Sequence, residues 1–271
     1  MPSKRSAATA QDALSSAPLA STAMDNTILF CGDPHGSFEH ILEAAARRPS
    51  SPVVLLGDME PAQPLRDILR PIFDRVWWIH GNHDTDHEAV ALRVWDDKLD
   101  HHSIHARVIT LSSGLRVAGL GGVFRESVWH PDPAAARGGR PAFMNREDHA
   151  RATPRQDRWR GGPLRRHWSS IYPSEVDQLS KQRCDVLVLH EAPGYHRHGF
   201  AALDDLARAM RAKVVVHGHH HDCIDSASRW AEQGFRTFGV GLRGITAIDA
   251  SGSAVVLVEG ELDAARAGRG G

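Results

Sequence analysis

Residues 75–84 read RVWWIHGNHD, an apolar run that passes directly into a polar turn containing glycine. The same change occurs at TILFC-GDPHG (27–36), SPVVLL-GDME (51–60), LRVAGL-GG (115–122), CDVLVL-HEAP (184–193) and KVVV-HGHHH (213–221). Continuous apolar runs of about four to six residues are typical of strands that are buried on both faces. The sequence therefore predicts a sheet whose strands end in polar turns.

Helical periodicity lies between several of these strands, over residues 37–48, 64–73, 86–95, 174–183 and 200–212. Alternating strands and helices predict an α/β fold with a largely parallel sheet. After residue 221 the pattern changes, and GFRTFGVGL (234–242) and SAVVLVEGEL (253–262) predict two strands without a helix between them. We predict one domain over residues 25–262, with flexible tails at 1–24 and 263–271.

The composition is that of a globular protein with an unusual number of histidines. Of 271 residues, 41% are hydrophobic and 24% are charged, and the formal net charge of −1 argues against a nucleic-acid coat. The 3 cysteines show no CxxC spacing, which favours a reducing, cytoplasmic setting. No apolar run reaches the roughly 20 residues that span a bilayer, so no membrane partner is expected. The 18 histidines matter because histidine is the commonest metal ligand.

An arginine-rich insertion over about 125–170 interrupts the pattern. It contains ten arginines, no lysine and only five acidic residues. Loops of this length are usually functional or disordered. Two interpretations stay open: the guanidinium groups bind an anionic substrate with more than one phosphate, or the segment is a basic loop that is solvated or packs against acids elsewhere.

Polar side chains with metal-binding chemistry follow the predicted strands at their carboxyl ends, which is where sites form in open parallel sheets. They are Asp33, His35, Asp58, Asn82, His83, Asp84, His190, His219 and His221. Carboxylate and amide oxygens mixed with imidazole suit Mn, Fe, Zn or Ni. Two such ions about 3.5–4 Å apart share a bridging carboxylate and activate a bridging water as a nucleophile.

Five motifs in this order resemble the signature of the calcineurin-like metallophosphoesterase superfamily. They are GDPHG (32–36), GD (57–58), GNHD (81–84), the strand-end His190 of VLVLHE (186–191) and GHHH (218–221). The resemblance implies a four-layer α/β/β/α sandwich with two mixed β-sheets.

The resemblance also implies two divalent metal ions, with Mn the first choice and Fe, Zn or Ni as alternatives. The ligands of the first ion would be Asp33, His35, Asp58 and His221. The second ion would share Asp58 and add Asn82, His190 and His219. The extra histidines of the last motif, His217 and His220, are expected beside the ligand set or on the surface.

Three further residues are assigned to the reaction rather than to the metals. His83 resembles the family residue that protonates the leaving oxygen or stabilises the transition state, and Asp84 is expected to orient its ring. Arg125, just beyond a predicted strand, is a candidate for binding substrate phosphate as a bidentate donor.

These assignments predict a phosphoesterase that cleaves phosphomono- or phosphodiesters through a metal-bridging hydroxide. A phosphorylated small molecule or nucleotide is the expected substrate, and nucleic acid is not favoured by a near-neutral chain. The alternatives are a cyclic-nucleotide or nucleotide phosphodiesterase, a nuclease, and a noncatalytic metal-binding scaffold. The segment GDMEPAQP (57–64) lacks the Arg-Gly of the protein Ser/Thr phosphatases, which argues against that subgroup.

Overall fold

A computed structural model describes residues 27–95, 99–249 and 251–267 of the chain. The predicted tail at 1–24 lies outside the described residues. Within them, the strands are β1 (Ile28–Cys31), β2 (Val53–Leu55), β3 (Val76–Trp78), β4 (Arg107–Thr110), β5 (Arg116–Leu120), β6 (Val186–Leu189), β7 (Val214–His217), β8 (Arg236–Gly239), β9 (Ile245–Ile248) and β10 (Ala254–Val258).

These strands form two five-stranded sheets in the described part of the chain, in the orders β10-β9-β1-β2-β3 and β4-β5-β6-β7-β8. In the first sheet β1, β2 and β3 are parallel, whereas β9 and β10 run antiparallel to their neighbours. In the second sheet only β4 is antiparallel. Both sheets are mixed, which confirms the architecture that the motifs implied and corrects the single sheet expected from periodicity.

The helices in the described residues are α1 (Glu39–Arg47), α2 (Leu65–Ile68), α3 (Glu88–Val94), α4 (Arg146–Ala152), α5 (Pro173–Ser180), α6 (Ala201–Met210), α7 (Trp230–Gln233) and α8 (Asp263–Ala267). The helix predicted over 64–73 divides into α2 and a 3₁₀ turn over Arg70–Arg75, which contains Pro71 near its start. None of the helices within this described set is long and apolar enough to cross a bilayer. Because α8 begins at Asp263, regular structure continues past the predicted domain boundary at 262.

Alternate side chains of each strand point to different layers, as the period of two in a β-strand requires. Ile28 and Phe30 of β1 pack between the sheets, against Val188 of β6 and Val216 of β7. Leu29 and its outward-facing neighbours pack under α1 and α2. The outer face of the second sheet packs under α5 and α6. The result is a helix–sheet–sheet–helix sandwich with apolar contacts in each of its three interfaces.

The arginine-rich insertion is folded over much of its length. The helix α4 begins after Asn145, whose side-chain oxygen accepts a hydrogen bond from Asp148 N at 2.7 Å, the usual N-cap arrangement. Two 3₁₀ turns follow, at Arg155–Asp157 and Arg165–Ser169. The second turn packs against the 3₁₀ turn His83–Thr85, so the insertion borders the GNHD motif.

Candidate metal centre

The candidate site lies where the parallel strands of both sheets end. The turns after β1, β2 and β3 carry Asp33, Asp58 and Asn82 from the first sheet. The turns after β6 and β7 carry His190 and His219 from the second sheet. Since the sheets pack face to face, these turns meet at one edge of the sandwich.

The first group of potential metal donors consists of His35, Asp58 and His221, whose ligand atoms all lie within 4.8 Å of one another. The Nε2 atoms of His35 and His221 are 3.1 Å apart, and His35 Nε2 is 4.0 Å from Asp58 Oδ2. All three residues were predicted as ligands of the first ion. The structure therefore brings together residues that are separated by up to 186 positions in the sequence.

The second group consists of Asp58, His190 and His219, again with ligand atoms within 4.8 Å. His190 Nε2 lies 3.4 Å from Asp58 Oδ2 and 3.1 Å from Asn82 Oδ1. Its other ring nitrogen, Nδ1, donates to Leu56 O at 2.8 Å, which orients the ring. These are the four residues predicted for the second ion.

Asp58 is the residue that the two groups share. Its side chain is 1% exposed, and Oδ1 accepts a hydrogen bond from His83 N at 2.8 Å. Oδ2 is buried without a hydrogen-bond partner among the described residues. An unpaired buried carboxylate oxygen costs more than about 1–3 kcal/mol. Imidazole and carboxylate donors around such an oxygen fit a divalent cation, so the residues present are compatible with the metals that the motifs imply.

A proton on His190 balances part of this charge in the metal-free chain. Burial lowers the pKa of His190, but the carboxylates of Asp58 and Asp33 raise it more, to about 10. Burial also raises the pKa of Asp58, but His190 outweighs it and holds that pKa below its usual range. Metal binding at this position would therefore release the imidazolium proton.

Asp33, predicted as a ligand of the first ion, lies beside the two groups rather than within either. Both of its oxygens accept from His219 N, at 3.1 and 2.9 Å. It is fully buried, and burial raises its pKa to about 8, with the nearby Asp58 charge adding to the effect and His190 opposing it. In the metal-free chain Asp33 therefore anchors the turn that carries His219.

The backbone of these turns is strained. Asp33, His35, Asp58, His219 and His221 have positive φ angles of 36°, 41°, 49°, 69° and 55°. Such conformations cost about 1–3 kcal/mol each and cluster at functional sites. Glycine permits the close approach: a Cβ on Gly81 would collide with Asp58 Oδ1, which explains the glycine that precedes Asn82.

The structure corrects the role predicted for Asp84. His83 Nδ1 lies 2.6 Å from Asp86 Oδ2, so Asp86 orients the imidazole. Asp84 is buried and instead accepts from the backbone N–H groups of Met59, Glu60 and Gly81, at 2.7, 3.1 and 2.8 Å. It thereby ties the turn after β2 to the turn after β3. A spacing of three residues within a helical turn brings Asp86 to His83, a signal that the GNHD motif does not contain.

Glu60 is a second residue that the sequence analysis did not assign to the site. Its Oε2 lies 2.5 Å from His35 Nδ1. A carboxylate on the far nitrogen of a ligating histidine fixes the ring and raises its basicity. The only signal in the sequence was its place two residues after Asp58. In the structure, Glu60 also has a positive φ of 40°.

The histidines expected outside the ligand set occupy different places. His217 is buried, and its Nε2 bonds to the Tyr195 hydroxyl at 2.7 Å. His220 forms a third group of potential donors with His219 and Glu191. The carboxylate of Glu191 is 5% exposed and follows directly after His190.

Arg125 is half-buried beside the GNHD turn. Its Nη1 donates to Ser169 O at 2.8 Å, and Ser169 Oγ lies 2.6 Å from Thr85 Oγ1. Burial lowers the pKa of Arg125, while the carboxylates of Asp86, Glu191 and Asp58 raise it. The contact with Ser169, which bonds to Thr85, places the Arg125 guanidinium beside the turn that carries His83, at the rim of the donor groups.

Comparisons with known proteins agree with this arrangement. A family profile described as calcineurin-like phosphoesterase matches residues 26–223. An uncharacterized protein of Haemophilus influenzae is 37% identical over 227 residues, which cover 83% of this chain and 95% of the relative. The crystal structure of TT1561 from Thermus thermophilus is similar with a TM-score of 0.54 and 15% identity, covering 86% of this chain and 98% of that chain. The latter likeness supports the fold.

Proposed function

The chain belongs to the calcineurin-like phosphoesterase family, and from that premise we propose that it hydrolyses phosphate esters at a centre of two divalent ions. Asp58 carries the proposal, because its carboxylate belongs to both donor groups and its Oδ2 is buried without a hydrogen-bond partner in the described structure. A bridging carboxylate is the feature that a two-ion centre requires and a single-ion site does not.

We assign Asp33, His35, Asp58 and His221 to the first ion, and Asp58, Asn82, His190 and His219 to the second. Imidazole with carboxylate and amide oxygens suits manganese, and iron, zinc or nickel as alternatives. Bound ions would supply positive charge for the phosphoryl oxygens and lower the pKa of the attacking water. The distances within the two donor groups support the assignment of His35, Asp58, His190, His219 and His221. Asp33 is assigned from the motif that carries it.

His83 is proposed to give a proton to the leaving oxygen. Asp86 holds Nδ1, which leaves Nε2 as the ring nitrogen for the substrate. Burial lowers the pKa of His83, but the Asp58 and Asp86 carboxylates outweigh it and raise that pKa above its ordinary value. A histidine whose pKa is raised and whose side chain is 44% exposed is suited to act as a general acid.

A small phosphorylated molecule or nucleotide fits the site better than a nucleic acid. Several arginines of the insertion are engaged by the protein: Arg165 donates to Thr85 O and Asp86 O, and Arg146 bonds to Glu175 Oε1. Arg125 keeps a position at the rim, where we propose that it contacts the substrate phosphate. A surface that binds nucleic acid needs many cations free to contact phosphates.

Metal removal tests the function directly. The purified chain is treated with a chelator, checked for its fold by circular dichroism, and assayed before and after addition of Mn²⁺. The probes are 4-nitrophenyl phosphate, a monoester, and bis(4-nitrophenyl) phosphate, a diester. We expect hydrolysis of at least one ester to disappear with the metal and return with Mn²⁺. A folded, Mn-loaded protein that cleaves neither ester contradicts the proposal and favours a noncatalytic scaffold.

A further inference from the structure

A third group of donors adjoins the second one and shares His219 with it. It contains Glu191, in the turn after β6, together with His219 and His220, in the turn after β7. Their ligand atoms lie within 4.8 Å of one another. One carboxylate and two imidazoles form a donor set that zinc uses in proteins.

The distances between donor atoms in this group are longer than hydrogen bonds and close to the spacing of donor atoms around a cation. Glu191 Oε2 is 3.8 Å from His219 Nε2 and 3.9 Å from His220 Nε2. Hydrogen bonds between nitrogen and oxygen are about 2.7–3.2 Å long. Ligand atoms around a tetrahedral zinc ion, with bonds of about 2.0–2.2 Å, lie about 3.3 Å apart. The distances between Glu191 and the two histidines would therefore need to shorten by about half an ångström for all three residues to bind one zinc ion.

Contacts outside the group hold two of its members in place. Glu191 Oε1 accepts from Phe124 N at 3.3 Å, which leaves Oε2 directed at the imidazoles. The His220 ring stacks on His196 at a centroid distance of 4.1 Å. His196 Nε2 in turn lies 3.4 Å from Asp222 Oδ2. Fixed donors reduce the entropy that metal binding costs.

His219 belongs to both the second and the third group. Its ring centroid is 4.9 Å from that of His190 and 4.7 Å from that of His220. Closing the third group on a cation would draw the His219 ring toward Glu191, and so withdraw it from the second group. We propose that Glu191, His219 and His220 form an inhibitory zinc site that competes with the second ion for His219.

This inference rests on the proposed assignment of His219 to the second ion. Zinc is the expected occupant because it binds nitrogen donors more tightly than manganese does. The third site has two imidazoles and one carboxylate, so a chain loaded with Mn²⁺ would fill it only when zinc is added. Hydrolysis would then fall as zinc rises, and bound Mn²⁺ would fall with it.

Zinc binding by the full-length, Mn-loaded chain tests the proposal without relying on hydrolysis. Isothermal titration with ZnCl₂ is compared for the wild type, His220→Ala and the control His101→Ala, an exposed histidine outside the group. We expect His220→Ala to weaken this zinc binding at least about tenfold, the scale of losing even an outer contact of a ligand. His101→Ala should bind zinc like the wild type. Glu191→Gln provides a second variant that keeps the size of the side chain.

A crystal of the protein soaked with zinc shows where the zinc ion binds. Anomalous scattering at the zinc edge should show an ion between Glu191 and His220. Zinc titrations that are equal in the wild type, His220→Ala and Glu191→Gln would overturn the proposal, as would zinc density confined to the first two groups. If the Mn-loaded chain hydrolyses no ester, the proposed function fails, but these binding measurements still decide whether the third site exists.

Discussion

The turns at the donor groups and the arginine-rich insertion are both dense in polar side chains, yet they use them in opposite ways. At the donor groups, Asp58 Oδ2 is buried without a hydrogen-bond partner in the described structure, and four imidazoles lie with Asp58 in the two groups. In the insertion, several arginines meet backbone acceptors: Arg165 donates to two backbone carbonyls, and Arg158 donates to Thr153 O at 2.9 Å.

The difference distinguishes a binding site from a segment that stabilises the structure around it. Buried polar groups are nearly always paired, so a buried carboxylate oxygen without a hydrogen-bond partner in a strained backbone, such as Asp58 Oδ2 in the described structure, is typical of a ligand-binding position. A paired set indicates structure. We therefore expect changes at the donor groups to alter metal binding and catalysis, whereas changes in the insertion beyond Arg125, the proposed phosphate contact, should alter stability.

The largest effect is expected for Asp58→Asn. The substitution keeps the size of the side chain and removes the charge that both donor groups share. We expect loss of at least one metal ion and a fall in kcat of about a thousandfold, the scale of removing a key electrostatic group. Metal content by mass spectrometry and hydrolysis of 4-nitrophenyl phosphate measure the two effects. Asp67→Asn, at an exposed ion pair, is the control. Two bound ions with a near-normal rate would refute the shared role.

His83→Asn should lose activity without losing metal. Without a proton donor, esters with poor leaving groups lose about a hundredfold in rate, while 4-nitrophenyl esters lose much less. The comparison of an alkyl ester with a nitrophenyl ester, with metal content measured in parallel, checks this. Equal losses on both esters would indicate that His83 stabilises charge on the phosphoryl oxygens instead. Loss of an ion would show that His83 is a ligand.

Glu60→Gln should weaken the first ion without displacing any assigned ligand. The variant loses the charge on the hydrogen bond to His35 Nδ1. Metal affinity should fall about 10- to 100-fold, as for other changes behind a ligating histidine. Calorimetric titration of the chelated chain with Mn²⁺ measures it, and Glu43→Gln on the exposed face of α1 is the matched control. Unchanged Mn²⁺ affinity would show that Glu60 does not contribute to metal binding.

The smallest effect is expected in the insertion and depends on pH. Burial, and then the charges of His149 and Arg166, lower the pKa of His167 from 6.5 to about 3. The unfolded chain therefore binds the proton first as the pH falls below about 6.5, and stability falls with it. In His167→Gln this loss should be smaller, so that between pH 7 and pH 5 its melting temperature falls by about 2–4 °C less than that of the wild type.

A control variant and an activity measurement complete this test. His101→Gln, at an exposed position, should follow the wild-type curve. Hydrolysis by His167→Gln at pH 7 should stay close to that of the wild type, because the comparison places the insertion in a supporting role. If His167→Gln has the wild-type pH profile, the buried ring is not the group that titrates.

Much of the fold follows from local pattern. The six apolar runs became β1, β2, β3, β5, β6 and β7, because strands covered on both faces need uninterrupted apolar side chains. β4 and β9 were not predicted. β4 is partly exposed and mixes arginine and threonine with its apolar residues, and β9 is the four-residue segment ITAI. Their pairing depends on distant neighbours rather than on local sequence.

In the site, too, some residues were predictable from local pattern and others depend on contacts between distant parts of the chain. Residues at strand ends, such as Asp58 and His190, were predictable because parallel strands deliver their carboxyl ends to one edge. The partners of those residues were not. Asp86 and Glu60 act through single contacts that depend on the turn geometry. Composition also did not reveal that Arg165 binds backbone carbonyls, since a free and an engaged guanidinium look identical in sequence.

The central claim is that Asp58 joins two metal ions. A crystal of the full-length chain loaded with Mn²⁺, measured at the manganese absorption edge, tests it most directly. The account predicts two anomalous peaks, one within His35, Asp58 and His221 and one within Asp58, His190 and His219, with the Asp58 carboxylate between them. A single peak, or two peaks of which only one contacts Asp58, would contradict it.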